Sequence, residues 1–156
     1  MPELSQQFMA ILIQLSIALL AITASAISHY RILQYLTKFI ARLRNGARGL
    51  IVLFCGITAS QLLAALWFTF AFKVSIAMGL GNVNGGSLNQ FIELFYFSLI
   101  NLTTLGLGQI EATSHLRFLA GIEAMTGFLL VSCSASVLIK AMFGLTVVES
   151  KRACFR

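Results

Sequence analysis

Three stretches of this chain, residues 8–28, 50–72 and 118–141, are predominantly apolar over more than twenty positions each. No other feature narrows the possible folds as much. A helix rises about 1.5 Å per residue, so the first stretch reaches about 31 Å, the thickness of a bilayer's hydrocarbon core. Hydrophobic residues make up 58% of the 156 and charged residues only 10%, too few to cover a soluble domain of this size. Aspartate is absent, which argues against a carboxylate enzyme site or a calcium cage. Cys55 and Cys133 lie in apolar runs and Cys154 in a basic tail, without the spacing of a metal site or redox pair. No nucleophile–base pair stands out either, so the chain reads as a membrane protein, not an enzyme, with no cofactor expected.

The net charge of +6 raises the question of nucleic acid, and its placement answers it. Nine of the eleven Lys and Arg fall in 31–48 and 140–156, both flanking apolar runs. That is the positive-inside pattern and not a nucleic-acid groove. Three spans then place both basic clusters in the cytoplasm, with the N-terminus outside and the C-terminus cytoplasmic. A signal peptide would carry its positive charge ahead of the first run, whereas here Glu3 precedes it and the cations follow. Residues 28–44 are basic and amphipathic, with Ile32, Leu33, Leu36, Phe39, Ile40 and Leu43 on one face, which predicts an interfacial helix on anionic lipid headgroups.

Between the second and third runs lies a segment, 88–102, that is apolar enough to enter a membrane and too short to cross it. Ser87 and Gln90 form a capping box at its start, and Glu93 suits the positive end of a helix. After it comes Asn101-Leu102-Thr103-Thr104-Leu105-Gly106-Leu107-Gly108, where alternating glycines stop the helix and free the backbone. Non-helical backbone at membrane depth is tolerated only where protein buries it or water lines it. A half-helix with its negative end aimed into the bilayer, followed by bare carbonyls, makes physical sense if a cation sits there.

The run from Phe95 to Ile110, with Thr103-Thr104-Leu105-Gly106-Leu107-Gly108 at its centre, resembles the potassium-channel pore-domain family. The closest look is to small bacterial ion-channel proteins with one extra N-terminal helix. The resemblance covers roughly 50–144 and implies an all-α membrane protein: three transmembrane helices plus a re-entrant pore helix and filter loop, assembled as a homotetramer in a bacterial inner membrane. The first span lies outside the resemblance; the apolar runs and charge placement assign 1–48 to an N-terminal transmembrane helix and basic cytoplasmic amphipathic segment and 145–156 to a short basic cytoplasmic tail, and the resemblance implies 49–144 as the pore domain. Potassium, as permeant ligand, would be held by the carbonyls of Thr104, Leu105, Gly106 and Leu107 and the Thr104 hydroxyl, with Gly106 and Gly108 turning the backbone. Leu105 and Leu107 would then pack behind the filter.

Two positions depart from the family's pattern. Leu107 replaces the usual Tyr, and Gln109 replaces an Asp that bonds an aromatic of the pore helix, matched here by Tyr96. A Tyr96–Gln109 bond would be neutral, which predicts a less rigid filter. A weakly selective cation channel on the same fold, and a non-conducting accessory protein, are therefore the alternatives. Mixed-ion reversal potentials separate the first from a potassium channel, and flux from liposomes separates the second.

Glu123, a carboxylate inside a span, is expected either to brace the filter through Thr103, Asn101 or another pore-helix group, or to reach the outer headgroups. Ser132 and Ser136 lie four apart on the last helix and are candidates for cavity lining or for helix packing. Gly127 reads as a close-packing point, with a gating hinge the alternative, Lys140 as a snorkelling cation, and His29 and His115 as interfacial groups at span ends, with pH sensing the alternative. Only about a dozen residues of the sequence follow the last run, so no nucleotide- or calcium-gating module is expected.

Overall fold

The computed structural model describes residues 2–40, 46–84, 91–107 and 110–154, with backbone alone for 2–6, 46 and 144–154. Four helices account for most of it: α1, Pro2–Ile40; α2, Gly46–Ala77; α3, Phe91–Leu102; and α4, Leu116–Cys154. α1, α2 and α4 are each long and apolar enough to cross a membrane, and α3, at 12 residues, is not. The chain is an all-α membrane protein. The Ser87–Gln90 capping box, Leu43 and the glycines 85 and 86 lie outside the described residues.

α1 starts with proline at its first position, where the missing N–H would have had no partner anyway. No glycine or second proline then interrupts it to Ile40, so the described part of the basic segment, 28–40, continues the first helix instead of forming a separate interfacial one. This corrects the predicted interfacial helix. The physical reason is that its apolar side has protein to cover: Leu33, Leu36 and Ile40 pack with Leu53 and Ile57 of α2 and Val137, Leu138 and Ala141 of α4. Phe39 remains exposed. The expected division near residue 145 likewise falls inside a helix, because α4 runs unbroken to Cys154.

α1 and α2 are antiparallel, as the pairs Ile40–Gly49, Leu36–Gly56 and His29–Ser60 show. Ala18 and Ala21 of α1 share a buried cluster with Ala64 and Ala65 of α2, small residues that let helix backbones approach in lipid. The centre of the molecule is aromatic, with Phe72 of α2 meeting Phe97 of α3 edge to face at 5.1 Å. Many large apolar residues face outward, including Leu19, Leu20, Phe54 and Phe128, which is the surface of a chain surrounded by lipid or by other subunits.

A small clasp closes the non-helical end. β1, Val83–Asn84, pairs antiparallel with β2, Glu111–Ala112, so the chain leaving α2 is tied to the chain entering α4. Thr113 strengthens the clasp by donating its N–H and hydroxyl to the Asn82 carbonyl, each at 2.8 Å. Gly81 has a φ of +154°, and a Cβ there would lie 2.6 Å from the Thr113 carbonyl oxygen. The sequence pattern predicted only a loop in this region; the two short strands are too brief to leave a periodic signal.

Candidate functional site

The site is assembled at the C-terminal end of α3. Its last turn is closed by two crossed bonds: Leu105 N–H donates to the Ile100 carbonyl at 2.9 Å and Thr104 N–H to the Asn101 carbonyl at 2.9 Å. That pattern needs a left-handed residue just past the helix, and Thr104 supplies it with a φ of 56°. For a β-branched residue this conformation costs on the order of 1–3 kcal/mol. The glycine expected to turn the chain, Gly106, follows with a φ of 50°. The chain therefore breaks two residues earlier than its glycines suggest.

Beyond the helix the loop turns its backbone outward. Thr103, Thr104, Leu105, Gly106 and Leu107 are all exposed, Leu105 at 62% and Leu107 at 50%. Among the described residues, no hydrogen bond is accepted by a carbonyl of residues 104–107. The Thr104 hydroxyl donates to the Thr103 carbonyl at 2.7 Å. Leu105 and Leu107, expected to pack behind the filter, are not covered by the described residues of the chain. Gly108 and Gln109 lie outside the described residues, and the Tyr96–Gln109 bond with them. Tyr96 itself is 42% exposed.

Behind this loop, α4 holds α3 in two places. Glu123 is fully buried; Asn101 Nδ2 donates to its Oε2 at 3.2 Å, and the Ser98 hydroxyl contacts its Oε1. The same hydroxyl lies 2.8 Å from the Ala65 carbonyl, so α2, α3 and α4 meet at one polar point. Of the partners expected for Glu123, Asn101 is bonded and Thr103 is not. The Thr103 hydroxyl turns back to the carbonyls of Leu99 at 2.9 Å and Ile100 at 3.2 Å. One turn along α4 from Glu123, Gly127 touches the end of α3 so closely that a Cβ would fall 1.8 Å from the Leu102 carbonyl oxygen. The hydrogen in its place points at that oxygen, a Cα–H···O contact between helix backbones.

Ser132 and Ser136 are exposed on α4 and bonded to their own helix, to the carbonyls of Phe128 at 2.8 Å and Ser132 at 3.1 Å. They lie across the helix from the buried line Glu123, Leu130 and Ser134 that faces the rest of the chain. Lys140 lines a cavity of about 450 Å³ together with Thr37, Ile40, Leu53, Val137 and Ala141. The sequence reading misses Ser98 and misplaces His29. Ser98 is three residues before Asn101 on one helix face, and a search for hydroxyls at that spacing would have found it. His29 is 3% exposed and bonded inside the bundle, which corrects its reading as interfacial: serines on two other helices supply polar partners that the linear sequence places 31 and 105 residues away.

No curated protein and no solved structure matches this chain. A family model described as an ion channel matches residues 62–144, more than half of the sequence. The match spans the second half of α2, all of α3, the loop after it and α4 to Gly144, and leaves α1 outside. The matched stretch holds the non-crossing helix braced between two spans and the loop at its end, and on this match the chain is a channel protein, not an enzyme, and belongs to the ion channel family.

Proposed function

We propose that this chain is one subunit of a homotetrameric, potassium-selective channel that conducts passively. Residues 104–107 supply four tiers of carbonyls and Thr104 its hydroxyl, replacing the hydration shell of a potassium ion on the symmetry axis. The observation that carries this reading is the set of carbonyls at 104–107 that accept no hydrogen bond from the described residues, at the negative end of a helix too short to cross a membrane. One chain contributes one such loop, so a closed ring requires several copies around an axis, and cyclic assembly is the natural solution. The exposed side chains of Leu105 and Leu107 are then covered by neighbouring subunits.

In this arrangement Tyr96, Thr103, Gln109 and Glu123 support the filter, Gly108 completes it, and Ser132 and Ser136 line the aqueous cavity. The charge pattern supports a bacterial inner membrane setting with the N-terminus outside and the basic clusters at 31–48 and 140–156 on the cytoplasmic anionic headgroups. The test is flux from liposomes holding the purified protein. Potassium efflux blocked by barium, with sodium efflux at least tenfold slower, supports the proposal. Equal fluxes support the weakly selective channel, which Leu107 and Gln109 favour. No flux in a correctly assembled oligomer leaves the accessory protein.

A further inference from the structure

The strongest group of side chains outside the filter module joins α1, which the family match does not include, to the pore helices. His29 Nδ1 lies 2.9 Å from the Ser60 hydroxyl of α2, and Nε2 lies 3.2 Å from the Ser134 hydroxyl of α4. All three residues are buried, at 3%, 0% and 3% exposure. Each hydroxyl also reaches a carbonyl of its own helix, Ser60 to Ile57 at 2.7 Å and Ser134 to Leu130 at 2.9 Å. A hydroxyl has one proton. When both serines spend theirs on helix carbonyls, they present only lone pairs to the ring, and both ring nitrogens must be N–H donors. When one serine swings its proton to the ring instead, a neutral imidazole fits. The junction thus has two complete hydrogen-bond arrangements that differ by one proton.

We infer that His29, Ser60 and Ser134 form a proton-binding site that couples α1 to the inner helix α4. Among the described residues, the other titratable groups of these helices do not bond the ring: Tyr30, Arg31, Tyr35 and Lys38 on α1, Arg48, Cys55 and Lys73 on α2, and Arg117, Cys133 and Lys140 on α4 are exposed, and Glu123 is held by α3. Of the described residues, the two serines are therefore the ones that stabilise the charged ring. The site lies at the end of the first apolar run that is followed by Tyr30, Arg31 and the basic cluster, so protons reach it from that face. Protonation replaces two neutral bonds by two charge-assisted ones and tightens α1 against α4. α4 also carries Glu123 and Gly127, so the tightened junction restrains the helix that holds the filter. The site stands without reference to the ion conducted; only its effect on flux rests on the proposed channel.

The test uses the full chain in phosphatidylcholine bilayers with ¹⁵N-labelled histidine, read by NMR from about pH 8 to about pH 5, where an imidazole changes charge. The chain has two histidines, and His115→Gln assigns the signals. The expected result is a His29 ring with one N–H at the alkaline end and two at the acid end. Ser60→Ala and Ser134→Ala should each weaken proton binding about tenfold, moving the midpoint by about one pH unit, as loss of one hydrogen bond to a charged group implies. A ring that keeps a single N–H throughout, or a midpoint unmoved in both serine variants, overturns the site. In liposomes that conduct, acid on the face bearing residues 31–48 should slow flux several-fold in the natural protein and not in His29→Gln, where the amide keeps a donor and an acceptor. Flux indifferent to acid, or equally sensitive in His29→Gln, overturns the coupling. Absence of all flux removes the channel proposal while the NMR result still decides the site.

Discussion

Gly127→Ala is the sharpest perturbation the structure offers. A Cβ at this position would lie 1.8 Å from the Leu102 carbonyl oxygen, 2.7 Å from its carbon and 3.0 Å from its Cα. Ordinary contact requires about 3.3–3.5 Å, so the two backbones must separate by about 1.5 Å. No side chain can rotate away to absorb this, because every clashing atom is main chain. Asn101 precedes Leu102, and its 3.2 Å bond to Glu123 is already long, so separation of α3 from α4 breaks it first. Overpacking of this kind costs about 1–3 kcal/mol, and the lost bond to a buried carboxyl about 1.5–3 kcal/mol more. The assay is heat survival of the purified oligomer together with potassium flux at equal protein loading. Survival should fall and flux should drop at least tenfold. Gly121→Ala on the same helix, where a Cβ meets nothing of its own chain within 4 Å, is the comparison and should change neither by more than about twofold. Natural heat survival and flux in Gly127→Ala would refute the claim that the inner helix seats the pore helix at this point.

Glu123→Ala leaves the Asn101 amide and the Ser98 hydroxyl without their shared acceptor at a fully buried site, and should destabilise the fold by about 2–3 kcal/mol; chemical unfolding in detergent measures it. Glu123→Gln keeps one of the two bonds and should fold normally but inactivate faster, which single-channel recording reads. Gly106→Ala has open space for its methyl group in the protomer but a φ of 50°, so its penalty is conformational, about 1–2 kcal/mol per subunit, and should abolish potassium flux once multiplied around a ring. Leu107→Tyr combined with Gln109→Asp should raise the potassium-to-sodium permeability ratio, and a ratio unchanged in bi-ionic recordings would show that these two positions do not limit selectivity.

The spans were legible because apolar length is a property of sequence alone, and the short segment 88–102 declared itself by failing to reach that length. The filter candidate was legible because free backbone needs glycine, and Gly106 and Gly108 alternate at the end of that segment. What the sequence hid depends on how separate helices meet. Amphipathicity in 28–44 predicts burial of one face without saying whether lipid or protein buries it, and here α2 and α4 do. Gly127 was identified as a close contact, yet only the packed structure shows that the contact is the carbonyl of Leu102. The left-handed turn at Thr104 has no sequence signature, because threonine is among the residues least suited to it. His29 looked like a span-end histidine because its two partners, Ser60 and Ser134, are ordinary small residues within apolar runs.

Anomalous scattering from potassium in crystals of the assembled protein tests the central claim most directly. The account predicts a row of ion peaks on a fourfold axis, ringed by the carbonyls of residues 104–107 of each subunit and lost when sodium replaces potassium. An assembly with no axial passage, or with those carbonyls hydrogen-bonded into the protein, would contradict it.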